Sequence, residues 1–307
     1  VVMRNSLISS LGDVSITSSE GDEFQREYRL DRLFPDAGVS FTGPETINQD
    51  NGVGSPPFPR ASRLGQALEV TSTELIAYYT STRSRDKTTA MAFSLDEIAR
   101  GVMEPSRTLT KPYPSASDAQ SIDGDFDNDG LVDTFAWNDP SNASITFGNG
   151  KESKITGFHQ ELDRQYFQDI EPTLSLTTGD LNGDGITDLA FGEYLPYEPS
   201  FEARIGDYRP PMAYVIFGGE TIQDAEISVE GLDGKNGFRL EADRTPCFFC
   251  PSKYLHLLSG VDLNGDGVDD LVIGDTGGGE EVSTGRYYGS VYVFFGRKAA
   301  LEKQGES

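Results

Sequence analysis

The residues best suited to chemistry in this sequence are oxygen-bearing side chains at a spacing that fits a hard cation. In the stretch GVDLNGDGVDDLVIGD (260–275), Asp262, Asn264, Asp266 and Asp270 occupy positions 1, 3, 5 and 9 of a short loop, and a glycine bends position 6. Oxygen ligands at this spacing suit Ca²⁺, whereas Mg²⁺ requires a stricter octahedral cage and keeps its waters. The stretch therefore predicts a calcium-binding loop.

The same pattern occurs twice more, so the sequence predicts three calcium sites. In each loop the ligands are the side chains at positions 1, 3, 5 and 9 and the backbone carbonyl at position 7. The predicted ligands are Asp125, Asp127, Asp129, Leu131 and Asp133 in loop 1 (125–133), Asp180, Asn182, Asp184, Ile186 and Asp188 in loop 2 (180–188), and Asp262, Asn264, Asp266, Val268 and Asp270 in loop 3 (262–270).

An EF-hand and a set of turns without an ion are the alternatives to these calcium loops. An EF-hand needs a glutamate at position 12 and helices on both sides, but position 12 is Ala136, Phe191 or Ile273, each in a predicted strand. Asp/Asn-Gly turns without an ion would leave several carboxylates within a few ångströms of one another, and these would repel strongly. The ion-bound interpretation is therefore favoured.

Each loop belongs to a longer repeat that predicts an all-β fold. An apolar strand follows the loop, and after a variable turn comes a second strand that ends in Phe-Gly, in ITFG (145–148), YVIFGG (214–219) and YVFFG (292–296). Four-stranded units that recur in this way are typical of the blades of a β-propeller. At about 60 residues a unit, the chain has room for roughly five blades, within a larger ring as an alternative.

The predicted organisation is a single propeller domain over residues 1–307. It comprises an N-terminal partial blade and connector (1–60), a degenerate repeat without a metal loop (61–110) and three complete repeats (111–160, 171–240 and 255–297). The last repeat lacks an outer strand after YVFFGR, so the N-terminal segment is expected to complete that blade. Residues 23–34 and 94–102 are the candidate helices, each of one or two turns.

Composition and motifs argue against several classes of function. The chain has 50 acidic and 25 basic residues, and so acidic a surface repels nucleic acid and anionic membranes. No window reaches the ~18 to 20 apolar residues of a membrane span. The two histidines, His159 and His256, lie in no nucleophile or zinc motif. The sequence therefore predicts a protein without catalytic residues.

These phrases together resemble FG-GAP repeats, the blades of integrin-α-type β-propellers and their bacterial relatives. The resemblance rests on GDFDNDGLVDTFAW (124–137), GDLNGDGITDLAFGE (179–193) and GVDLNGDGVDDLVIGD, each followed by its Phe-Gly strand. It departs from the family where Trp137 replaces an expected glycine. The resemblance implies Ca²⁺ between the first two strands of a blade, where the ion braces the scaffold, and a platform that binds proteins or glycans.

The expected role is thus a non-catalytic adhesion, recognition or assembly module outside the cytoplasm: extracellular, cell-surface or periplasmic. A polysaccharide lyase or hydrolase, a lectin, and a subunit of a larger extracellular assembly are the alternatives. Much of the contact surface is expected to come from two insertions, 194–211 and 243–253, and the alternative is that these insertions only pack on their own scaffold. Their aromatic residues are Tyr194, Tyr197, Phe201, Tyr208, Phe248 and Phe249. Cys247 and Cys250 form a C-x-x-C, which predicts a local disulfide of an exported protein, with a reduced thiol pair as the alternative. The chain opens on Val, as expected if an export signal has been removed.

Overall fold

The computed structural model describes residues 27–29, 38–42, 64–79, 88–111, 121–139, 142–158, 175–192, 211–242, 255–276 and 289–298. In chain order the strands are β1 (Glu27–Arg29), β2 (Gly38–Thr42), β3 (Leu64–Val70), β4 (Glu74–Tyr79), β5 (Thr88–Ser94), β6 (Pro105–Lys111), β7 (Ser121–Gly124), β8 (Asp133–Asp139), β9 (Asn142–Thr146), β10 (Glu152–Thr156), β11 (Ser175–Gly179), β12 (Asp188–Gly192), β13 (Met212–Ile216), β14 (Glu226–Ser228), β15 (Gly237–Glu241), β16 (Leu255–Val261), β17 (Asp270–Asp275) and β18 (Ser290–Phe294). Helix is confined in these ranges to α1 (Leu95–Ile98) and two 3₁₀ turns, Glu220–Ile222 and Val229–Gly231.

The strands form four sheets, each built around an antiparallel meander. Sheet I has the order β3-β4-β5-β6, sheet II β7-β8-β9-β10-β14, sheet III β11-β12-β13-β15-β1, and sheet IV β16-β17-β18-β2. The described residues are thus nearly all β, as expected for propeller-like blades. The prediction of about five blades stays a prediction.

Three outer strands come from distant parts of the chain, and one of them is β1, which pairs parallel with β15 at the edge of sheet III. β2 pairs antiparallel with β18, so an N-terminal strand supplies the outer edge that the last repeat lacks. β14, from the segment 225–231 that the sequence assigns to the second complete repeat, instead pairs parallel with β10 of sheet II. The chain therefore links neighbouring sheets by exchanging strands as well as by packing.

Successive side chains along a strand point to opposite faces of its sheet, and both faces of the inner sheets are buried in this way. In β17, Leu271 and Ile273 pack against sheet III, while Val272 between them packs against sheet I. On the other side of sheet III, Phe191 and Tyr214 join the aromatic cluster of sheet II around Trp137 and Phe135. The packing order of the sheets is therefore II, III, IV, I, with an apolar layer between each pair.

One of the two candidate helices is wrong where the structure describes it, because residues 27–29 of the segment 23–34 form the strand β1. The other candidate, 94–102, contains the single helical turn α1, as predicted. In sheet I, β3 and β4 are joined by a tight turn in which the Thr71 N–H donates to the Glu74 carbonyl at 2.9 Å, in place of an acidic loop. No helix in the described ranges is long and apolar enough to cross a membrane.

Candidate functional site

The three acidic loops occupy the same place in their sheets, between the first and second strands of the meander. Loop 1 joins β7 to β8, loop 2 joins β11 to β12, and loop 3 joins β16 to β17. Position 12 lies in the second strand each time, so the prediction that these are not EF-hands is confirmed.

Left-handed backbone at positions 4 and 6 folds each loop back on itself. Position 6 is Gly130, Gly185 or Gly267, with φ between 81° and 88°. Position 4 is also left-handed, at Gly183, Gly265 and, in loop 1, Asn128 with φ 59°. Glycine adopts this left-handed conformation at low cost, and asparagine does so more readily than most other residues. Position 4 carries a second constraint that the ligand pattern alone did not reveal.

Backbone N–H groups hold the carboxylate at position 1 in place. In loop 3, Asp262 accepts from the N–H of Asp266 at 3.1 Å and from that of Gly267 at 2.9 Å. Asp180 accepts from the N–H groups at the same two positions of loop 2, as Asp125 does in loop 1. Asp262 Oδ1 also accepts from the Gly265 N–H at 2.7 Å, so in loop 3 the other carboxylate oxygen, Oδ2, is the one that retains a lone pair for a cation.

The carboxylate at position 5 turns toward the residue at position 7. The N–H groups of Leu131, Ile186 and Val268 each donate to it, at 2.8, 2.8 and 2.9 Å. This contact fixes the peptide at position 7, which was predicted to supply a carbonyl ligand.

The aspartate at position 9 is the structural centre of each loop. Asp133, Asp188 and Asp270 have no exposed surface. One oxygen of Asp270 accepts from the N–H of Leu263 at 2.7 Å, and the other accepts from the N–H of Gly296 at 3.0 Å. The equivalent donors are Phe126 and Gly148 for Asp133 and Leu181 and Gly218 for Asp188.

The glycine of each Phe-Gly pair therefore has a role that the sequence marked without explaining. A Cβ built on Gly296 would lie 2.1 Å from the carbonyl oxygen of Asp269, and one on Gly218 would lie 2.5 Å from that of Thr187. Only a residue without a side chain brings its N–H to the position-9 carboxylate at this distance from the loop backbone. The recurrence of Phe-Gly at the end of the strand in all three repeats was the signal that could have identified this contact.

Burial without a nearby cation raises the pKa of the position-9 carboxyl groups. Burial raises the pKa of Asp270 to about 7, against the lowering effect of the Leu263 and Gly296 N–H groups. Burial also raises the pKa of Asp188 well above its usual value, and that of Asp133 to a smaller degree. A divalent cation beside these groups would compensate their charge.

Loop 1 brings three carboxylates to a spacing that one ion can bridge. Asp125, Asp127 and Asp133 each offer an oxygen within 4.8 Å of the others. Oxygens that lie about 2.3 to 2.6 Å from one Ca²⁺ are at most about 5 Å apart, so these residues fit the ion. Asp129 is outside this group, and its oxygens accept from the Leu131 N–H and, at 3.3 Å, from the Asn149 amide. Three acidic groups do not approach one another this closely in loop 2 or loop 3, as far as the structure describes them.

Loops 2 and 3 differ from loop 1 at position 3. There, Asn182 and Asn264 donate their side-chain N–H to the position-5 carboxylates of Asp184 and Asp266, at 2.9 Å in both cases. Loop 1 has Asp127 at this position, which is 2% exposed and cannot donate when ionised. At the four side-chain ligand positions, loop 1 therefore holds four carboxylates, whereas each of the other two loops holds three carboxylates and an amide.

Loops 1 and 2 also contact the following repeat. The N–H of Asp180 donates to the Asp269 carboxylate at 2.9 Å, and the N–H of Asp269 donates to the Asp180 carbonyl at 3.0 Å. The Leu181 carbonyl accepts from Arg297 N–H at 3.1 Å, as the Phe126 carbonyl accepts from Gly219 N–H at 2.8 Å. The loops thus form part of the contacts between neighbouring sheets.

Several predicted features lie outside the described residues. These are Cys247, Cys250, His159 and the two insertions, apart from Pro211. The other histidine, His256, is partly buried in β16, and burial lowers its pKa to about 4.

Comparison with known proteins identifies the repeats. Residues 256–294 match the FG-GAP repeat family, and residues 125–191 match the FG-GAP-like repeat family. This chain contains FG-GAP repeats. The matched FG-GAP residues include loops 1, 2 and 3, with β8, β12, β17 and β18.

The chain is also similar to a human protein, phosphatidylinositol-glycan-specific phospholipase D. The two are 35% identical over 125 residues, which is 40% of this chain and 13% of that enzyme. The similarity therefore concerns a small part of the enzyme.

Proposed function

We propose that this protein is a non-catalytic, calcium-stabilised β-propeller that acts outside the cytoplasm as a protein- or glycan-binding module in adhesion or assembly. The proposal rests chiefly on one observation. The three loops bury a position-9 aspartate completely, with backbone N–H groups on both oxygens and, among the residues that the structure describes, no basic side chain as a hydrogen-bond donor. A buried carboxylate without compensating charge is costly, and Ca²⁺ supplies that charge.

In this proposal each loop binds one Ca²⁺ through positions 1, 3, 5 and 9 and the carbonyl at position 7. The ion would neutralise the cluster and fasten the first two strands of its sheet. FG-GAP repeats are typically extracellular, and Ca²⁺ sites of extracellular modules bind at about 10⁻⁴ to 10⁻³ M. This affinity suits a calcium-rich exterior.

The proposal also includes one propeller domain of about five blades over residues 1–307, with the divisions predicted from the repeats. Pairing of β2 with β18 supports it, because strand exchange between the N-terminal segment and the last repeat is a means of closing a ring. Electron-microscopy class averages of the protein, viewed along the axis of the proposed propeller, would show the number of blades. An open stack of sheets would contradict this part of the proposal.

Thermal unfolding in calcium and in EGTA tests the metal sites. A ligand at 100 times its dissociation constant stabilises the folded state by about 2.7 kcal/mol per site. The melting temperature should therefore rise with calcium concentration, and Mg²⁺ at the same ionic strength is the control. A melting curve that is the same in calcium and EGTA would refute the proposed metal sites.

The binding role is tested by capture on immobilised extracellular proteins and glycans in calcium and in EGTA. Calcium-dependent capture of one class supports the module. The second candidate is a carbohydrate-active enzyme or lectin on the same scaffold, which the partial similarity to an enzyme named for phosphatidylinositol-glycan favours. Turnover of a polysaccharide or of a phosphatidylinositol-glycan that persists when loop 3 is disabled by Asp266→Ala would support this second candidate.

A further inference from the structure

We propose that Gln223, in the repeat that follows loop 1, is a positioning residue for the calcium site of that loop. This inference rests on the proposed calcium sites. The Gln223 side-chain amide donates to an oxygen of Asp127, the position-3 ligand, from 96 residues further along the chain. Gln223 lies in the segment that leaves the Phe-Gly pair of sheet III and returns to sheet II as β14.

A comparison of the loops explains why loop 1 needs this donor. Asn182 and Asn264 provide an amide from position 3 within loops 2 and 3. Asp127 provides none, and it adds a carboxylate to a loop whose Asp125 and Asp133 already lie within ligand distance of it. Gln223 brings an amide N–H to that additional carboxylate. Its donation holds one Asp127 oxygen, and the other oxygen, which accepts from the Asp129 N–H at 3.1 Å, keeps a lone pair for the ion.

The backbone around Gln223 is fixed on sheet II, so the amide is held in place before any ion binds. The hydroxyl of the buried Ser153 donates to the Ile222 carbonyl at 2.5 Å and accepts from the Ala225 N–H at 3.0 Å. Residues on either side of Gln223 are thus bonded to one side chain of β10. The Gly219 N–H, which donates to the Phe126 carbonyl at 2.8 Å, fixes the start of the segment.

Calcium at loop 1 would consequently fasten two repeats. Asp127 would bind the ion with one oxygen and the following repeat with the other. Side chains that orient metal ligands in this way typically change metal affinity by about 10- to 100-fold when they are replaced.

The test is calcium titration calorimetry on the whole chain after chelator treatment, with Gln223→Met as the main variant. Methionine has nearly the volume of glutamine but does not donate a hydrogen bond. The affinity of one of the three sites should fall about tenfold or more, with the other two unchanged. Thr221→Ala, an exposed position in the same segment, is the matched control and should leave all three affinities unchanged.

Repeating the measurement in an Asp127→Asn variant separates a positioning role of Gln223 from a general effect on folding. Asp127→Asn gives loop 1 the position-3 residue of loops 2 and 3, which supplies its own amide. In that background Gln223→Met should change calcium affinity by less than about twofold. Circular dichroism of each variant in calcium checks that it is folded, and Gln223→Ala replaces Gln223→Met if methionine disturbs the fold.

The outcomes separate this inference from the proposal beneath it. If the unmodified chain binds no calcium, the proposed metal sites are wrong. If the unmodified chain binds calcium but Gln223→Met binds it as tightly as Thr221→Ala does, the inference is overturned. It is also overturned if Gln223→Met weakens all three sites equally, or weakens binding as much with Asp127→Asn as without it.

Discussion

Replacing Gly296 with alanine should strongly destabilise the protein, through a contact that no ligand pattern predicts. The new methyl group would lie 2.1 Å from the Asp269 carbonyl oxygen, 2.8 Å from a methyl of Val268 and 2.9 Å from the Leu181 carbonyl oxygen. The two carbonyl oxygens, of Asp269 and Leu181, are backbone atoms. A change of side-chain rotamer therefore cannot relieve the clash. The strand end must instead move away from loop 3.

That movement adds two costs. Overpacking costs about 1 to 3 kcal/mol, and weakening the N–H contact to the buried Asp270 carboxylate costs about 1 to 3 kcal/mol more. The expected loss is therefore about 2 to 6 kcal/mol, a large part of the roughly 5 to 15 kcal/mol that stabilise a typical domain. Calcium affinity at loop 3 should fall as well, because Asp270 is one of its predicted ligands.

Urea unfolding of the variant and of a matched glycine substitution gives the measurement. Gly231→Ala is the control, since its methyl would meet nothing closer than the Ser228 Cβ at 3.6 Å and should change stability by less than about 0.5 kcal/mol. Gly218→Ala should behave like Gly296→Ala. Gly148→Ala should also destabilise, because its methyl would lie 2.4 Å from the Cβ of Leu131, which moves only with the backbone, and 3.0 Å from the Val132 carbonyl oxygen. Equal stability of Gly296→Ala and Gly231→Ala would refute the reasoning.

Two further substitutions test other contacts. Asp269→Ala removes the acceptor of the Asp180 N–H and should lower the unfolding free energy by about 1 to 3 kcal/mol. Asp269→Asn keeps an acceptor oxygen and should restore most of the loss in the same urea assay; if both variants lose the same stability, the hydrogen bond is not the cause. For His256, whose folded pKa of about 4 lies below the unfolded value of 6.5, the stabilising contribution is complete above pH 6.5 and is lost as pH falls toward 4. As pH falls from 6.5 to 4, the free energy of unfolding of His256→Gln should therefore rise by up to about 3 kcal/mol relative to that of the unmodified chain, measured by urea unfolding in calcium. If the two proteins lose stability in parallel over this interval, the lowered pKa of His256 is contradicted.

The sequence determined the elements closest to the loops because their pattern is local. The spacing of the residues from Asp262 to Asp270 fixes which side chains face the centre of the loop. The apolar run that follows, Leu271 to Ile273, predicts a buried strand. The strands around all three loops follow from these short-range rules, as does the exclusion of an EF-hand. The missing outer strand after YVFFGR likewise predicted an N-terminal partner, which β2 provides.

The contacts between repeats depend on tertiary packing and could not be predicted from the sequence, since the residues that make them are far apart in the chain. The pairing of β14 with β10 assigns that strand to a different sheet from the one its sequence position suggests. The Phe-Gly glycine became interpretable when its N–H was found on a buried carboxylate 26 residues earlier. Gln223 carries no motif, and its relation to Asp127 depends on how one repeat folds over the previous one. Local spacing determines which atoms a loop offers, whereas packing between sheets determines which donors hold those atoms in place.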